Sequence, residues 1–162
     1  MIRLRSPRIF ARDERGAALV EFAIILPMML LFLALSVEGA RTFWAYQATI
    51  SGVRDAARFL SRVVDVDICA TGGSVSQWDG RLLTIVRDAR DGGTVFPSGV
   101  TVRSVGATLA CESGFRGGAA GVATVTAKLD IDYPFSGVFT LIGMDLTSVA
   151  TQVRDQARVI GL

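Results

Sequence analysis

The chain has 162 residues, of which 51% are hydrophobic and only 20% charged, against a typical charged share of about 25%. This length suits one domain plus an anchor and excludes two large domains. A net charge of +2 gives no basis for nucleic-acid binding, and the absence of histidine removes the commonest general base and the commonest neutral metal ligand.

Residues 1–16 form a basic leader. Arg3, Arg5, Arg8, Arg12 and Arg15 stand against Asp13 and Glu14, a net of +3. A basic stretch in front of an apolar run is a topological signal that keeps this end in the cytoplasm.

The run 17–37, AALVEFAIILPMMLLFLALSV, carries a single charge, Glu21. As a helix it spans about 31 Å, the thickness of a bilayer's hydrocarbon core. It therefore reads as a transmembrane helix, with everything after it outside the cytoplasm. Two alternatives are a buried helix of a soluble protein and a cleaved secretory signal ending at Ala34-Leu35-Ser36. Against the second, the run is longer than an ordinary signal core and contains a carboxylate. A carboxylate in the apolar layer costs about 2.5–3.5 kcal/mol at mid-helix. Glu21 lies near the cytoplasmic end, where snorkelling softens that cost. Either it is an interfacial glutamate with no role, or it needs a cationic partner inside the layer. Pro27 removes a backbone donor and predicts a kink or a locally melted turn.

Residues 38–64 continue the helix as a stalk. Ile50, Val53, Ala57, Leu60 and Val64 share one face, and Arg54, Arg58 and Arg62 lie on an adjoining one. Those arginines are either a solvated face or a contact for acidic partner subunits. Phe43, Trp44 and Tyr46 stand just beyond the apolar run, where aromatic residues mark a membrane interface.

Residues 65–162 read as an extracytoplasmic α+β domain. Residues 65–73 are a turn-rich exit from the stalk. Residues 78–90 predict a short amphipathic helix with Leu82, Leu83, Ile85, Val86 and Ala89 available for burial. Residues 100–105 alternate as a strand, 114–121 (GFRGGAAG) form a glycine-rich loop, and 122–133 form a second strand. In the latter Val125, Ala127, Leu129, Ile131 and Tyr133 share a face. Residues 138–144 are an apolar patch, a loop or a turn of helix, and 145–153 predict the last strand. The expected fold class is α+β: a long N-terminal helix, half transmembrane and half stalk, packed on an antiparallel sheet of three or four strands. Cys69 and Cys111 are an even pair outside the cytoplasm and are expected to form a disulfide, the alternative being two buried thiols.

No pattern supports catalysis, a cofactor or a metal. GFRGGAAG lacks the lysine and hydroxyl residue of a phosphate-binding loop. Asp65, Asp67, Asp130 and Asp132 would ligate calcium only if folding gathered them. Without histidine there is no catalytic triad.

The stretch Arg15-Gly16-Ala17-Ala18-Leu19-Val20-Glu21-Phe22 resembles a type IV prepilin processing site. Over residues 12–62 the chain resembles TadE-like proteins, minor pseudopilins of the tight-adherence (Flp) pilus system. The matching features are RGxxxVEFA, Pro27, Glu38-Gly39 and Val53-Arg54-x-Ala56-Ala57-Arg58; residues 65–162 carry no motif of the family. The resemblance implies cleavage by prepilin peptidase between Gly16 and Ala17. Glu21 would then be the fifth residue of the mature chain and would pair with the freed amine of a neighbouring subunit. Glu21, Phe22 and Pro27 would form the docking segment. Ala17 departs from the methylated phenylalanine with which many pilins begin. The implied partners are prepilin peptidase, other pilins and minor pseudopilins, the inner-membrane assembly platform and the membrane. The implied role is initiation or priming of pilus assembly from the bacterial inner membrane, with the C-terminal domain periplasmic. The alternative is a signal-anchored periplasmic binding or scaffold domain that is not processed.

Overall fold

In the computed structural model, residues 16–88, 92–116, 118–140 and 143–161 are described. Leader residues 1–15 and Ala89 lie outside them, as does part of the 138–144 patch. Helix α1 (Ala17–Val63) runs for 47 residues, about 70 Å. It continues through Pro27 with no interrupted turn. The expected melted turn is therefore absent: proline withholds one donor, and the bonds of the flanking turns keep the helix going. Val64, in extended conformation, ends the helix.

The two halves of α1 meet different surroundings. From Leu19 to Leu35 the large apolar side chains other than the half-buried Leu31 are exposed, whereas Ala45, Val53, Ala56, Ala57 and Leu60 are buried in the domain core. Val53, Ala57, Leu60 and Val64 of the expected stripe are buried, but Ile50 is exposed. Its place on the packed face is taken by Thr49, whose hydroxyl donates to the Ala45 carbonyl at 2.7 Å. A threonine that bonds back within its own helix brings no unmet polar group into the core.

After α1 the chain makes a short helix α2 (Ile68–Thr71), a 3₁₀ turn (Ser76–Trp78) and helix α3 (Asp79–Arg87). The exit from the stalk is thus partly helical. Helix α3 buries Leu82 and Val86 and half-buries Leu83 and Ile85. At its end Arg87 Nε donates to Asp88 Oδ1 at 2.7 Å, a bond that holds the Asp88 carboxyl below its ordinary pKa.

Three antiparallel strands follow in the order β1 (Val100–Phe115), β2 (Gly118–Asp132) and β3 (Ser148–Arg158), with helix α4 (Ser136–Thr140) between β2 and β3. Strand β2 alternates as expected. Ala123, Val125, Ala127, Leu129 and Ile131 are buried under the helices, while Lys128 and Asp132 are exposed. Tyr133 lies beyond the strand and packs on the core partly buried.

Three sequence expectations need correction. The glycine-rich segment is not a loop: β1 and β2 pair up to Phe115 and Gly118, leaving a two-residue connection. Small residues there serve close packing. A Cβ on Gly121 would stand 3.3 Å from Ile68, Leu109 and Val159 side-chain atoms. Strand β1 runs ten residues past Val105, with an irregularity between Val102 and Ser104. That extra residue explains why Val100 and Val105, an odd number of positions apart, are both buried. Strand β3 is shifted, starting at Ser148 and ending at Arg158. Its last part, RDQAR, has no apolar alternation and is held by pairing with residues 122–126 of β2.

The α1 C-terminal half crosses the sheet face, with Tyr46 hydrogen-bonded to Thr151 and Arg54 paired to Asp155 of β3. Ile160 and Gly161 donate their amides to the Ser61 carbonyl, so the end of the chain satisfies an acceptor in the last turn of the stalk.

Candidate functional site

Gly16 caps the first turn of α1 and Ala17 is its first helical residue. Glu21 follows four positions later, on the same face as Ala17 and one turn up. Gly16, Ala17, Glu21 and Phe22 are all exposed, and Glu21 has no ion-pair partner among the described residues. The geometry thus puts a carboxylate close to the positive end of the helix dipole and leaves it open to a second chain. Helix α1 is long and apolar enough to cross a membrane, and almost none of its apolar window is buried in the protein. A core helix of a soluble domain would be covered.

A second locus lies where α1 meets the domain. Glu38 is 4% exposed, near the end of the apolar run. Its Oε1 accepts a hydrogen bond from the Phe135 amide at 2.9 Å, and Oε2 lies 3.7 Å from Arg41 Nη1. Arg41 in turn donates to the Ser98 carbonyl. One carboxylate thereby ties the helix to the chain between β2 and α4, and its neighbour ties it to the chain before β1. Beside them is a groove of about 490 Å³ lined by Leu35, Gly39, Phe43, Tyr133, Phe139 and Leu146 among others.

Sequence reasoning singled out Glu38 only as part of a matching pair with Gly39. The available signal was a carboxylate at the edge of the apolar run with an arginine three residues on. Glu38→Ala removes the acceptor of the Phe135 amide and is expected to lower stability by about 1–3 kcal/mol. Hydrogen exchange at residues 134–140 should speed up, and less so in Glu38→Gln, which keeps an acceptor oxygen. Unchanged exchange in Glu38→Ala would show that the bond does not hold this segment.

The expected disulfide is present. Cys69 of α2 is bonded to Cys111 of β1, with Cα atoms 5.7 Å apart. Among the described residues no group of three His, Cys, Asp or Glu side chains is placed to hold a metal ion. Asp130, one of the four aspartates considered as calcium ligands, is paired to Arg103 at 2.7 Å.

Residues 16–58 match the family model of TadE-like proteins. The chain carries a TadE-like segment. The match covers Gly16, Ala17, Glu21, Phe22, Pro27 and Glu38. No curated protein and no solved structure matches the chain. The TadE-like segment ends five residues before α1 does, so the sheet domain lies outside the match.

Proposed function

We propose that this TadE-like chain is a minor pseudopilin that helps initiate or prime assembly of a tight-adherence pilus. Prepilin peptidase cuts it between Gly16 and Ala17 on the cytoplasmic side of the inner membrane. The helix then docks on neighbouring pilins and on the assembly platform, with the sheet domain in the periplasm. The observation that carries this reading is the TadE-like match beginning at Gly16, on a helix whose apolar half is bare.

Cleavage converts the Ala17 amide into an amine at the edge of the apolar layer. Glu21, exposed and without an ion-pair partner among the described residues, is the acidic group that a neighbouring subunit's amine would meet. In a low-dielectric layer two such charges gain far more from meeting than they would in water. The pair thus rewards one axial register over looser lateral contact, and Phe22 and Pro27 shape the surface beside it. We infer a structural role with no catalysis; the lack of histidine and of any catalytic motif supports it.

N-terminal sequencing and intact mass of the protein from membranes test the reading. The mature chain should begin at Ala17. Gly16→Leu should abolish cutting and leave the 16-residue leader attached. A wild-type protein that still begins at Met1 would overturn processing and leave a simple signal-anchored periplasmic domain.

A further inference from the structure

Two described apolar residues flanking α4, Phe135 before it and Met144 after it, are not part of the core cluster. Phe135 is bonded through its amide to Glu38, and its side chain is 42% exposed. Met144, whose amide donates to the Phe139 carbonyl, is 44% exposed. Phe43 and Trp44 on α1 are 65% and 60% exposed. Phe43 lines the groove with Leu35, Gly39, Tyr133, Phe139 and Leu146, and the amides of Phe135 and Met144 are bonded to two further lining residues, Glu38 and Phe139.

Measured along the helix from Ala17, Leu35 stands about 27 Å up and Phe43 about 39 Å up. A bilayer's hydrocarbon core is about 30 Å thick, and its headgroup region reaches beyond that. The groove and its exposed rim therefore sit where acyl chains give way to headgroups. The groove's one carboxylate, Glu38, is already engaged by the Phe135 amide and Arg41. What remains open is apolar surface, continuous with the bare face of the span.

We infer that Phe43, Trp44, Phe135 and Met144 form a collar that seats the domain in the outer boundary of the bilayer, with lipid acyl chains filling the groove. The inference rests on the membrane-anchor reading of α1. It adds that the sheet domain lies down on the lipid before assembly and is not held clear of it on a free stalk. Tryptophan favours this boundary, and phenylalanine and methionine add apolar surface for acyl chains to cover. Leaving it would expose the groove to water, so lipid contact resists extraction of the subunit until another apolar surface replaces it.

The test uses the full chain reconstituted at one copy per lipid nanodisc, with lipids brominated either near the headgroup end or near the methyl end of the acyl chain. Trp78 packs edge-on against Phe59 within the domain and is replaced by phenylalanine to remove its signal. Trp44 then reports the helix. Phe135→Trp, or Met144→Trp as a second reporter, in a background also carrying Trp44→Phe, reports the collar. Both substitutions are at exposed side chains. Trp44 and both collar reporters should lose emission, most strongly with bromine near the headgroup end. Quenching of Trp44 alone, with both collar reporters unquenched and open to acrylamide, overturns the collar and leaves the anchor intact. If those reporters become shielded only at several copies per disc, the groove belongs to a second chain, and the inference also fails. No quenching of Trp44 or of either collar reporter by either lipid also overturns the collar.

Discussion

Gly52→Leu is expected to destabilise the domain by about 3 kcal/mol or more, the upper range for forcing atoms into a packed interior. Gly52 is buried where α1 crosses α3. A Cβ there would lie 2.9 Å from Val86 Cα and 3.1 Å from the Val86 carbonyl oxygen. These are backbone atoms, so no side-chain rotation relieves the clash; the two helices must separate. Separation would open the contacts of Val53, Leu82 and Val86, which are among the most completely buried side chains. Gly52→Ala sets two effects against each other. Alanine gains about 1 kcal/mol of helix propensity over glycine, and the same Cβ clash opposes it. The smaller loss in alanine separates clash from propensity. Gly39 is the internal control, since a Cβ there meets nothing within 4 Å. Gly39→Ala should be neutral or mildly stabilising. Denaturant unfolding of the full chain in detergent, followed by tryptophan fluorescence, measures all three. Equal midpoints for Gly52→Leu and wild type would show that α3 does not pack on α1 this closely.

Removing the disulfide in Cys69→Ser/Cys111→Ser should cost about 4 kcal/mol, the chain-entropy value for a loop of this size. The bond spans a sequence separation of 42 residues and joins the segment leaving the stalk to the far end of the β1–β2 hairpin. The enclosed loop contains α3 and most of α2, so the unfolded chain gains freedom over all of that segment. Ile68, next to Cys69, is buried against Gly121, so some apolar packing remains when the bond is gone. The double variant should therefore fold, at a markedly lower denaturant midpoint. The wild-type protein in reductant should approach the same midpoint. If neither moves, the loop is held by packing alone and the bond adds nothing to stability.

Much of the architecture could be read from local pattern. A 21-residue apolar run behind five arginines reads as a segment long enough to span a bilayer, and the structure has one unbroken helix over it that is long and apolar enough to do so. Strand β2 was legible because one of its faces is buried and the other is not, which stamps a period of two on Ala123 to Ile131. Strand β3 was legible only in part. Its end, RDQAR, faces no continuous core, and its conformation comes from ladder bonds to a partner that sequence spacing does not reveal. The glycine-rich stretch misled for a related reason. Glycine signals a loop locally, whereas Gly121 is small because three side chains converge on it.

The candidate site divides the same way. The leader, the Gly16–Ala17 junction, Glu21 and the apolar half of α1 are contiguous in the chain, and their chemistry depends on spacing along one helix. These expectations therefore come from sequence alone, together with the resemblance to TadE-like proteins. The tertiary structure decided the rest. It showed that Glu38 holds an amide 97 residues away, that Gly52 permits a backbone contact with Val86, and that Tyr133, Phe139 and Leu146 share a groove with Phe43. Those facts follow from how a helix and a sheet meet, and such contacts leave no periodic trace in the segments that make them.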